Sequence, residues 1–581
     1  MSGQKPAEWR AQIEYLQQIN CANNVDLTYR LEQILTTNGH GLLDTNKTQE
    51  INENFNKIRT VIKEWSKGQS DLLLSGSMML GAFTTDSDVD TICVSPEHIQ
   101  ADQFFGTVPC HQKFAEECRN DDSLFCRLCF HPEVHSLQRI QSNWVPLIRL
   151  KLINFDHEID IVFASIPGEQ QIDVDDLRQQ NILTKFEEMI EKLDNKIKQL
   201  KEEEDRNDQA SLTNAKEQML KSLRSLAGYH SNLKLLEMVK KNNNFHKLLL
   251  VLKLWAKSNY IYNNAMGFFN GTSLGVLAAK IVLLYPEATV PFLLERFFFT
   301  YSSWEWPLPV QIAEIRPNSS LNWNAWDEQN HLLSQYGSGG AYSKLMIPVI
   351  TPGFPESNST YLINWQTAKI IKNALDEAFK LFYSSKSENE KLPMLFEQQI
   401  KFHEKYSQYF AITCVASDLN IFNEFCGFVV TRIRVQLTRL SDCTRDDVDF
   451  CHVILLNGCP PYTVQKYTKI SSKIFCKTWL VGVKMKNETQ IQSKQGQVGG
   501  HLQQNDIKLK QELDDVIVNS YKFIGLGGGR RGGANLNLAE QKIQKHFARN
   551  NLSQGMKETD QRDFVNLESE YIDKLIVADL I

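Results

Sequence analysis

The sequence predicts an α+β fold divided among several domains, and three observations support this prediction. The chain has 581 residues, a length that suggests about three or four domains. Short β-rich segments mix with helical periodicity in the first third of the chain, and a similar mixture returns in residues 409–484. The stretch between these parts is helix-rich and aromatic, so we expect a helical domain to separate two mixed ones.

The domain boundaries follow the changes in composition and periodicity. The predicted segments are N-terminal helices packing on the middle domain (1–50), a mixed α/β domain (51–170), a helical middle domain (171–365), an α+β domain (366–490) and a polar, partly disordered tail (491–581). The tail holds Gln-rich and Gly-rich pieces, and such compositions favour disorder because they bury little apolar surface.

The mixed N-terminal domain opens with a predicted amphipathic helix over residues 51–66, where apolar side chains recur at helical spacing. Short and mostly alternating segments then predict β-strands over residues 72–74, 89–94, 145–155 and 159–164. In the α+β domain the predicted elements are a helix leading in (366–383), a strand (409–416), a long helix (418–440) and two further strands (449–456 and 474–484).

A strongly charged stretch covers residues 185–217. Apolar side chains keep a 4-3-4-3 spacing in its first half, at Phe186, Ile190, Leu193, Ile197 and Leu200. This spacing is typical of a short coiled-coil seam. One interpretation is a solvated helix that packs its apolar stripe on its own domain, and the other is a helix that binds a partner.

Three aspartates are spaced for metal binding. Asp88 and Asp90 stand at i and i+2 of a predicted strand, so their side chains point to the same face. Asp160 lies on a later strand, where it alternates with apolar residues and faces away from them. Carboxylates so placed can hold two divalent cations, as nucleotidyl transfer requires. We therefore predict that Asp88, Asp90 and Asp160 are the catalytic and metal-binding residues.

A Gly-Ser turn precedes these aspartates and suggests phosphate binding. Gly76 permits a close approach of the backbone to a phosphate, and the Ser77 hydroxyl and nearby N–H groups can contact phosphate oxygens. A Gly-Ser pair alone is usually a plain turn. The spacing to Asp88 and Asp90 makes the phosphate-binding interpretation preferable.

The overall composition limits the possible partners. The net charge is -6, so any nucleic-acid surface must be a local patch. The twelve cysteines are scattered and the N-terminus has no apolar leader, which predicts an intracellular protein with reduced thiols. No apolar stretch reaches the length of a membrane span, so no membrane partner is expected.

Several longer motifs extend well beyond the aspartates. They occupy residues 76–81, 88–90, 158–160, 222–228, 253–271, Trp304–Val310 and Met346–Pro352. Together they resemble the eukaryotic nuclear-type poly(A) polymerases of the nucleotidyltransferase superfamily, and the resemblance spans roughly residues 10–485. It implies a polymerase β-like catalytic domain, a helical middle domain and a C-terminal domain similar to RNA-recognition (RRM) domains.

The resemblance also implies a nucleotide pocket. The residues that it assigns to nucleotide binding are Gly76, Ser77, Lys253, Tyr262, Asn264, Gly271 and Thr272. Lys253 would contact triphosphate oxygens, Tyr262 would stack or hydrogen-bond near the nucleoside, and Asn264 would help to read adenine.

The chain departs from the family pattern near this pocket. Ser75 replaces a usual Phe, Asp86 replaces a Gly, Ala227 replaces an Asn, and Asn270–Ser273 replaces a Gly-Gly-Val-Ser type run. These changes bear on nucleotide selectivity more than on the reaction type. The charged stretch at 185–217 also resembles an insertion.

The activity implied by the resemblance is template-independent polyadenylation of RNA 3′ ends. AMP would be transferred from ATP with release of pyrophosphate, using two Mg²⁺ ions, with Mn²⁺ as a possible substitute. The implied partners are the RNA 3′ end, ATP and the cleavage and polyadenylation machinery, and the implied setting is a monomer in the nucleus. The alternatives are a uridylyl- or CCA-type transferase and an inactive RNA-binding adaptor of the same fold.

Basic and aromatic residues are interleaved late in the chain and suit single-stranded RNA. They are Tyr462, Lys466, Tyr467, Lys469, Lys473, Phe475 and Lys477, and Arg432, Arg434 and Arg439 extend the pattern. The alternative for this segment is a solvated edge strand with scattered lysines.

Two weaker patterns favour no additional site. Cysteines and histidines cluster at Cys110, His111, Cys118, Cys126, Cys129, His131 and His135, but the ligand pairs are closer together than in ordinary zinc fingers. The Gly527–Gly532 run fits a dinucleotide motif only formally, because no βαβ unit surrounds it.

Overall fold

The structure is a computed structural model, and it divides the chain into two compact units. Unit 1 comprises residues 1–258, 269–363 and 372–396, and unit 2 comprises residues 259–268, 364–371 and 397–581. The described residues are 24–38, 45–106, 122–140, 145–172, 181–202, 206–239, 242, 244–314, 346–396, 402–406, 408–416, 419–443, 448–456, 475–486 and 575–579.

A five-stranded mixed sheet is the centre of unit 1. Its strands are β1 (Asp71–Leu74), β2 (Val89–Pro96), β3 (Val134–Ile140), β4 (Leu147–Leu152) and β5 (Glu158–Ile166). They lie in the order β1-β2-β5-β4-β3, and only β2 and β5 run parallel. The predicted strand over 145–155 is too long, because Asn154 adopts a left-handed conformation (φ 60°) in the turn that follows β4.

Helix α1 (Asn24–Thr37) packs on the helical part of unit 1. Six further described helices pack around this sheet: α2 (Thr45–Trp65), α3 (Gly76–Met79), α4 (Ala101–Phe105), α5 (Leu124–Phe130), α6 (Asn181–Glu202) and α7 (Arg206–Val239). Side chains alternate between the two faces of β2, so the strand contributes to an apolar core on each face of the sheet. Cys93 packs with α2 on one face, whereas Ile92 and Val94 pack with α6 and α7 on the other.

The charged stretch forms α6 and the start of α7. Phe186 and Ile190 of α6 are fully buried in a core shared with Leu223 and Leu226 of α7. The apolar stripe therefore packs on its own unit, as the first of the two interpretations predicts.

The rest of unit 1 is helical. Its further helices are α8 (Asn244–Ser258), α9 (Gly271–Leu284), α10 (Val290–Ser302), most of α11 (Trp365–Phe382) and α12 (Glu388–Phe396). Helix α8 is apolar on nearly every side because α9 and α10 pack around it, and even Lys253 in its centre is buried. No described helix combines the length and the apolarity that crossing a membrane requires.

Unit 2 has a four-stranded sheet of its own. Its elements are α13 (Phe402–Lys405), β6 (Gln408–Ala416), α14 (Leu419–Cys443), β7 (Val448–Leu455), β8 (Phe475–Met485) and β9 (Leu575–Asp579), and the strand order is β7-β8-β6-β9. Strand β9 comes from the predicted tail and pairs in parallel with β6. The mixed α and β character of the chain is confirmed, whereas the likeness of this sheet to RRM domains stays a prediction.

The basic and aromatic segment of unit 2 is only partly described. Residues 457–474, which include most of its lysines, lie outside the described residues. Of the described members, Lys477 on β8 places its Nζ 5.7 Å from the centre of the Trp479 ring.

A neutral histidine lies in the core of unit 2. His452 on β7 is buried, its Nδ1 lies 2.6 Å from the Tyr406 hydroxyl, and its Nε2 lies 3.0 Å from the Tyr260 carbonyl oxygen. Burial lowers the pKa of His452 to about 3, and the positive charge of Lys405 acts in the same direction.

Unit 2 is therefore expected to lose stability in mild acid. The unfolded His452 has a pKa of about 6.5, so below that pH the unfolded chain binds a proton that the folded chain does not. The free energy of unfolding should fall by about 1.4 kcal/mol between pH 7.5 and 5.5 from this residue alone. Hydrogen exchange of the β7 and β8 amides at both pH values measures the change.

The matched variant for this measurement is His452→Phe, which keeps an aromatic ring but cannot titrate. Its opening free energy should change with pH by about 1.4 kcal/mol less than that of the wild type. An identical pH dependence in both proteins would show that His452 is not the source.

Candidate active site

The sheet of unit 1 brings the predicted aspartates together. Asp90 on β2 and Asp160 on β5 are register partners on adjacent parallel strands, so their side chains point to the same face. Asp88 lies directly before β2 and, two residues from Asp90, is near the same edge. On the opposite face of β5, Ile159 and Ile161 belong to the apolar core, as the alternating pattern predicts.

An arginine that the sequence analysis missed lies in the middle of these carboxylates. Arg149 on β4 is the cross-strand partner of Asp160. Its Nε donates to Asp160 Oδ1 (2.8 Å) and its Nη2 donates to Asp160 Oδ2 (2.7 Å). The same Nη2 lies 3.8 Å from Asp88 Oδ2, and Nη1 lies 3.3 Å from Glu158 Oε2. One guanidinium thus faces three carboxylates.

The electrostatics of the cluster reflect this crowding of negative charge. Burial raises the pKa of the Asp90 carboxyl to about 6, and repulsion from Asp160 and Asp88 raises it in the same direction. The Asp90 side chain is crowded by protein atoms on one side and open to solvent on the other. Burial and the charge of Asp160 also raise the pKa of Asp88. The cluster therefore carries more negative charge than Arg149 alone compensates.

Gly76 contacts the cluster directly. It begins the one-turn helix α3 with a φ of 55°, and the N–H of the preceding Ser75 donates to the Asp90 carbonyl oxygen (2.9 Å). A Cβ on Gly76 would lie 1.9 Å from Asp90 Oδ2, far inside the closest approach that non-bonded atoms allow. The glycine is needed here because the Asp90 carboxylate packs on its backbone. Ser77 follows it in the same turn and is half-buried.

Two lysines of α8 reach the loop between Gly81 and Asp88. Lys253 is 2% exposed and donates to the Ala82 carbonyl oxygen (2.7 Å). Burial, and then the charge of Lys257, lower its pKa to about 8. Lys257, which the sequence analysis did not single out, donates to both oxygens of Asp86 (2.6 and 2.8 Å). Asp86 thus forms an ion pair here, whereas it stands at a position where the family has glycine.

The remaining predicted nucleotide contacts fall in two places. Gly271 and Thr272 form the first turn of α9 in unit 1, where Asn270 Oδ1 accepts from the Ser273 N–H (2.8 Å) and caps the helix. Tyr262 and Asn264 are half-buried in the segment of the chain that belongs to unit 2.

The cysteine and histidine cluster forms no metal site among the described residues. Cys126 is buried in α5 and Cys129 is partly buried. No three described His, Cys, Asp or Glu side chains are already arranged as a ligand set. Cys110, His111 and Cys118 lie outside the described residues.

Among the described residues, Asp88, Asp90 and Asp160 are likewise not arranged as a set of metal ligands. The contacts of Arg149 explain this arrangement. Both oxygens of Asp160 are engaged by the two donors of the Arg149 guanidinium. What the sheet provides is three carboxylates on one face, beside the Gly-Ser turn and within the electrostatic range of Lys253.

Comparison with known proteins identifies relatives for most of the chain. Residues 244–398 match the family model of the poly(A) polymerase central domain. A poly(A) polymerase of Dictyostelium discoideum is 26% identical over 416 residues, which are 68% of this chain and 43% of the relative. Nuclear poly(A) polymerase 4 of Arabidopsis thaliana is 25% identical over 424 residues, 70% of this chain and 49% of the relative.

The aligned part of the chain thus covers about half the length of these curated relatives. Among solved structures, the Cid1 poly(U) polymerase matches 64% of this chain and 99% of its own chain at 13% identity, with a TM-score of 0.40. The chain is thus similar to nuclear-type poly(A) polymerases over most of its length, and to their central domain over residues 244–398.

Proposed function

We propose that this protein extends RNA 3′ ends without a template, transferring AMP from ATP and releasing pyrophosphate. The observation that carries the proposal is the convergence of Asp88, Asp90 and Asp160 beside the Gly76-Ser77 turn. The relatives described above are poly(A) polymerases, which favours adenylyl transfer over other reactions of the superfamily.

The donor set suits divalent cations. Carboxylate oxygens are the ligands that Mg²⁺ and Mn²⁺ prefer. Burial raises the pKa of Asp90 to about 6, and the negative charges of Asp160 and Asp88 add to this effect. Divalent ions would neutralise that negative charge. Asp88 and Asp90 would be shared between two ions and Asp160 would bind one of them. Bound there, the ions would stabilise the negative charge of the transferring phosphoryl group.

The residues around the carboxylates would bind and orient the nucleotide. Gly76 leaves space at the Asp90 carboxylate, and its backbone can therefore lie close to a phosphate. Ser77 would donate its hydroxyl to the same phosphates. Lys253 would contribute positive charge to the triphosphate from its buried position on α8.

The nucleoside end of the pocket is proposed from the resemblance. Tyr262 would stack or hydrogen-bond near the nucleoside, and Asn264 would read adenine through its amide. The resemblance also assigns nucleotide contacts to Gly271 and Thr272, which lie in the first turn of α9. We also propose that unit 2 binds the RNA strand, and that the protein is a monomer which works in the nucleus with the cleavage and polyadenylation machinery.

Single-nucleotide extension tests this function. The purified protein is incubated with Mg²⁺, a labelled RNA primer and one nucleoside triphosphate at a time. We expect a long product with ATP and little with UTP, CTP or GTP. Long products with UTP would instead indicate the uridylyl-transferase alternative, and no product with any nucleotide would favour the inactive adaptor.

A further inference from the structure

Arg149 occupies the position in the carboxylate cluster where positive charge is most needed. It contacts Asp160 through two short hydrogen bonds and is within 4 Å of both Asp88 and Glu158. Its side chain is one-third exposed, and that of Asp160 is only 10% exposed. A bidentate arginine–carboxylate pair of this kind is directional and strong.

The contact with Arg149 engages both carboxylate oxygens of Asp160, which the proposed function needs for binding a divalent cation. A carboxylate with both oxygens engaged by a guanidinium cannot at the same time present them fully to a divalent cation. Two like charges at such short range also repel each other. Arg149 bound to Asp160 and a cation bound to Asp160 are therefore competing states.

The structure also offers a second partner for the guanidinium. Glu158 stands two residues before Asp160 on β5, so both side chains point to the same face. The Glu158 side chain is 42% exposed and its Oε2 already lies 3.3 Å from Arg149 Nη1. A small rotation of the arginine side chain would move the guanidinium from Asp160 onto Glu158.

We propose that Arg149 is a resident counter-ion of the metal-free protein, which a divalent cation must displace from Asp160 before it can bind there. Arg149 stabilises the three carboxylates when no metal is bound, and Glu158 receives its guanidinium when metal enters. Arg149 thus acts as a positioning residue that weakens the affinity for metal. This inference rests on the proposed function, because it assumes that the cluster binds divalent cations.

Direct titration with Mn²⁺ tests the exchange. Binding is measured on the full chain without RNA or nucleotide, from the loss of the electron paramagnetic resonance signal of free Mn²⁺. Arg149→Met removes the competing charge and should tighten Mn²⁺ binding about tenfold, or about 1.4 kcal/mol. Arg149→Lys keeps the charge but loses the bidentate contact, so it should tighten binding by less and protects the test against misfolding of the Met variant.

A neighbouring residue provides the matched control. Lys151 lies on the same strand and the same face, opposite Glu158. Lys151→Met removes one positive charge, but Lys151 lies opposite Glu158 and not opposite Asp160, so its Mn²⁺ affinity should stay within about twofold of the wild type.

Thermal unfolding gives a second readout. With EDTA, Arg149→Met should unfold at a lower temperature than the wild type, because Asp160 has lost its partner. Saturating Mn²⁺ should abolish this difference in unfolding temperature. Equal or weaker Mn²⁺ binding by folded Arg149→Met and Arg149→Lys would overturn the exchange while leaving the polymerase proposal intact. Failure of both the wild type and Arg149→Met to bind any Mn²⁺ would contradict the proposed function itself.

Discussion

Replacing Asp90 by Asn is expected to lower the rate of AMP addition at least about a thousandfold, which corresponds to about 4 kcal/mol of barrier. Asp90 is the carboxylate that is crowded by Asp88 and Asp160 and that packs on the Gly-Ser turn. The substitution keeps the size and shape of the side chain but removes its charge. The rate is measured by single-turnover extension of an RNA primer with ATP.

The control is a carboxylate close in the chain and outside the cluster. Asp156 is exposed in the turn between β4 and β5, four residues from Asp160. Asp156→Asn changes the net charge by the same amount and should extend RNA within about twofold of the wild type, as expected for a surface substitution. Near-normal extension by Asp90→Asn would remove Asp90 from the catalytic set.

Gly76→Ala has the second largest expected effect, a loss of about a hundredfold in extension rate. The added Cβ would lie 1.9 Å from Asp90 Oδ2, so the carboxylate must move away from Asp88 and Asp160. Displacement of a catalytic group by about 1 Å can cost about a hundredfold. The same single-turnover assay measures it, and thermal unfolding shows whether the variant is folded.

Gly68→Ala is the control that distinguishes a steric clash with Asp90 from backbone strain at a positive φ. Gly68 also has a positive φ (80°), but a Cβ there would meet nothing within 4 Å. Gly68→Ala therefore carries the conformational cost of a positive φ, about 1–2 kcal/mol of stability, without disturbing the carboxylates. Equal losses of activity in both variants would mean that strain, and not the displaced Asp90, causes the defect.

The sequence could predict the aspartates because their signal is local. The spacing of Asp88 and Asp90 alone predicts that their side chains lie near the same edge, and the alternation around Asp160 predicts which way its side chain points. Their meeting on adjacent strands depends on the β2–β5 pairing, which is parallel and long-range. The motif resemblance supplied that link.

Arg149 could not be predicted in the same way. It alternates with apolar residues on β4 like many exposed strand residues, and nothing in its neighbourhood of the chain indicates a carboxylate partner. Only the β4–β5 register places it opposite Asp160. The sequence also explains only part of the need for glycine at position 76. It indicates that a phosphate can approach the backbone there, but not that Asp90 packs on it.

Two strands were missed for a related reason. Strand β9 lies in a polar, low-complexity tail, and its pairing with β6 joins residues more than 160 positions apart. Strand β3 follows a stretch rich in Cys and His, whose composition suggests metal binding and gives no sign that β3 pairs with β4. Local propensity carries little information about such pairings.

The most direct test is a crystal structure of the protein with Mn²⁺ and a non-hydrolysable ATP analogue, with the metal located by anomalous scattering. The account predicts two manganese positions, with Asp88 and Asp90 as shared ligands, Asp160 on one of the two ions, and Arg149 no longer bound to Asp160. Manganese elsewhere, or an intact Arg149–Asp160 pair beside a fully bound nucleotide without metal, would contradict it.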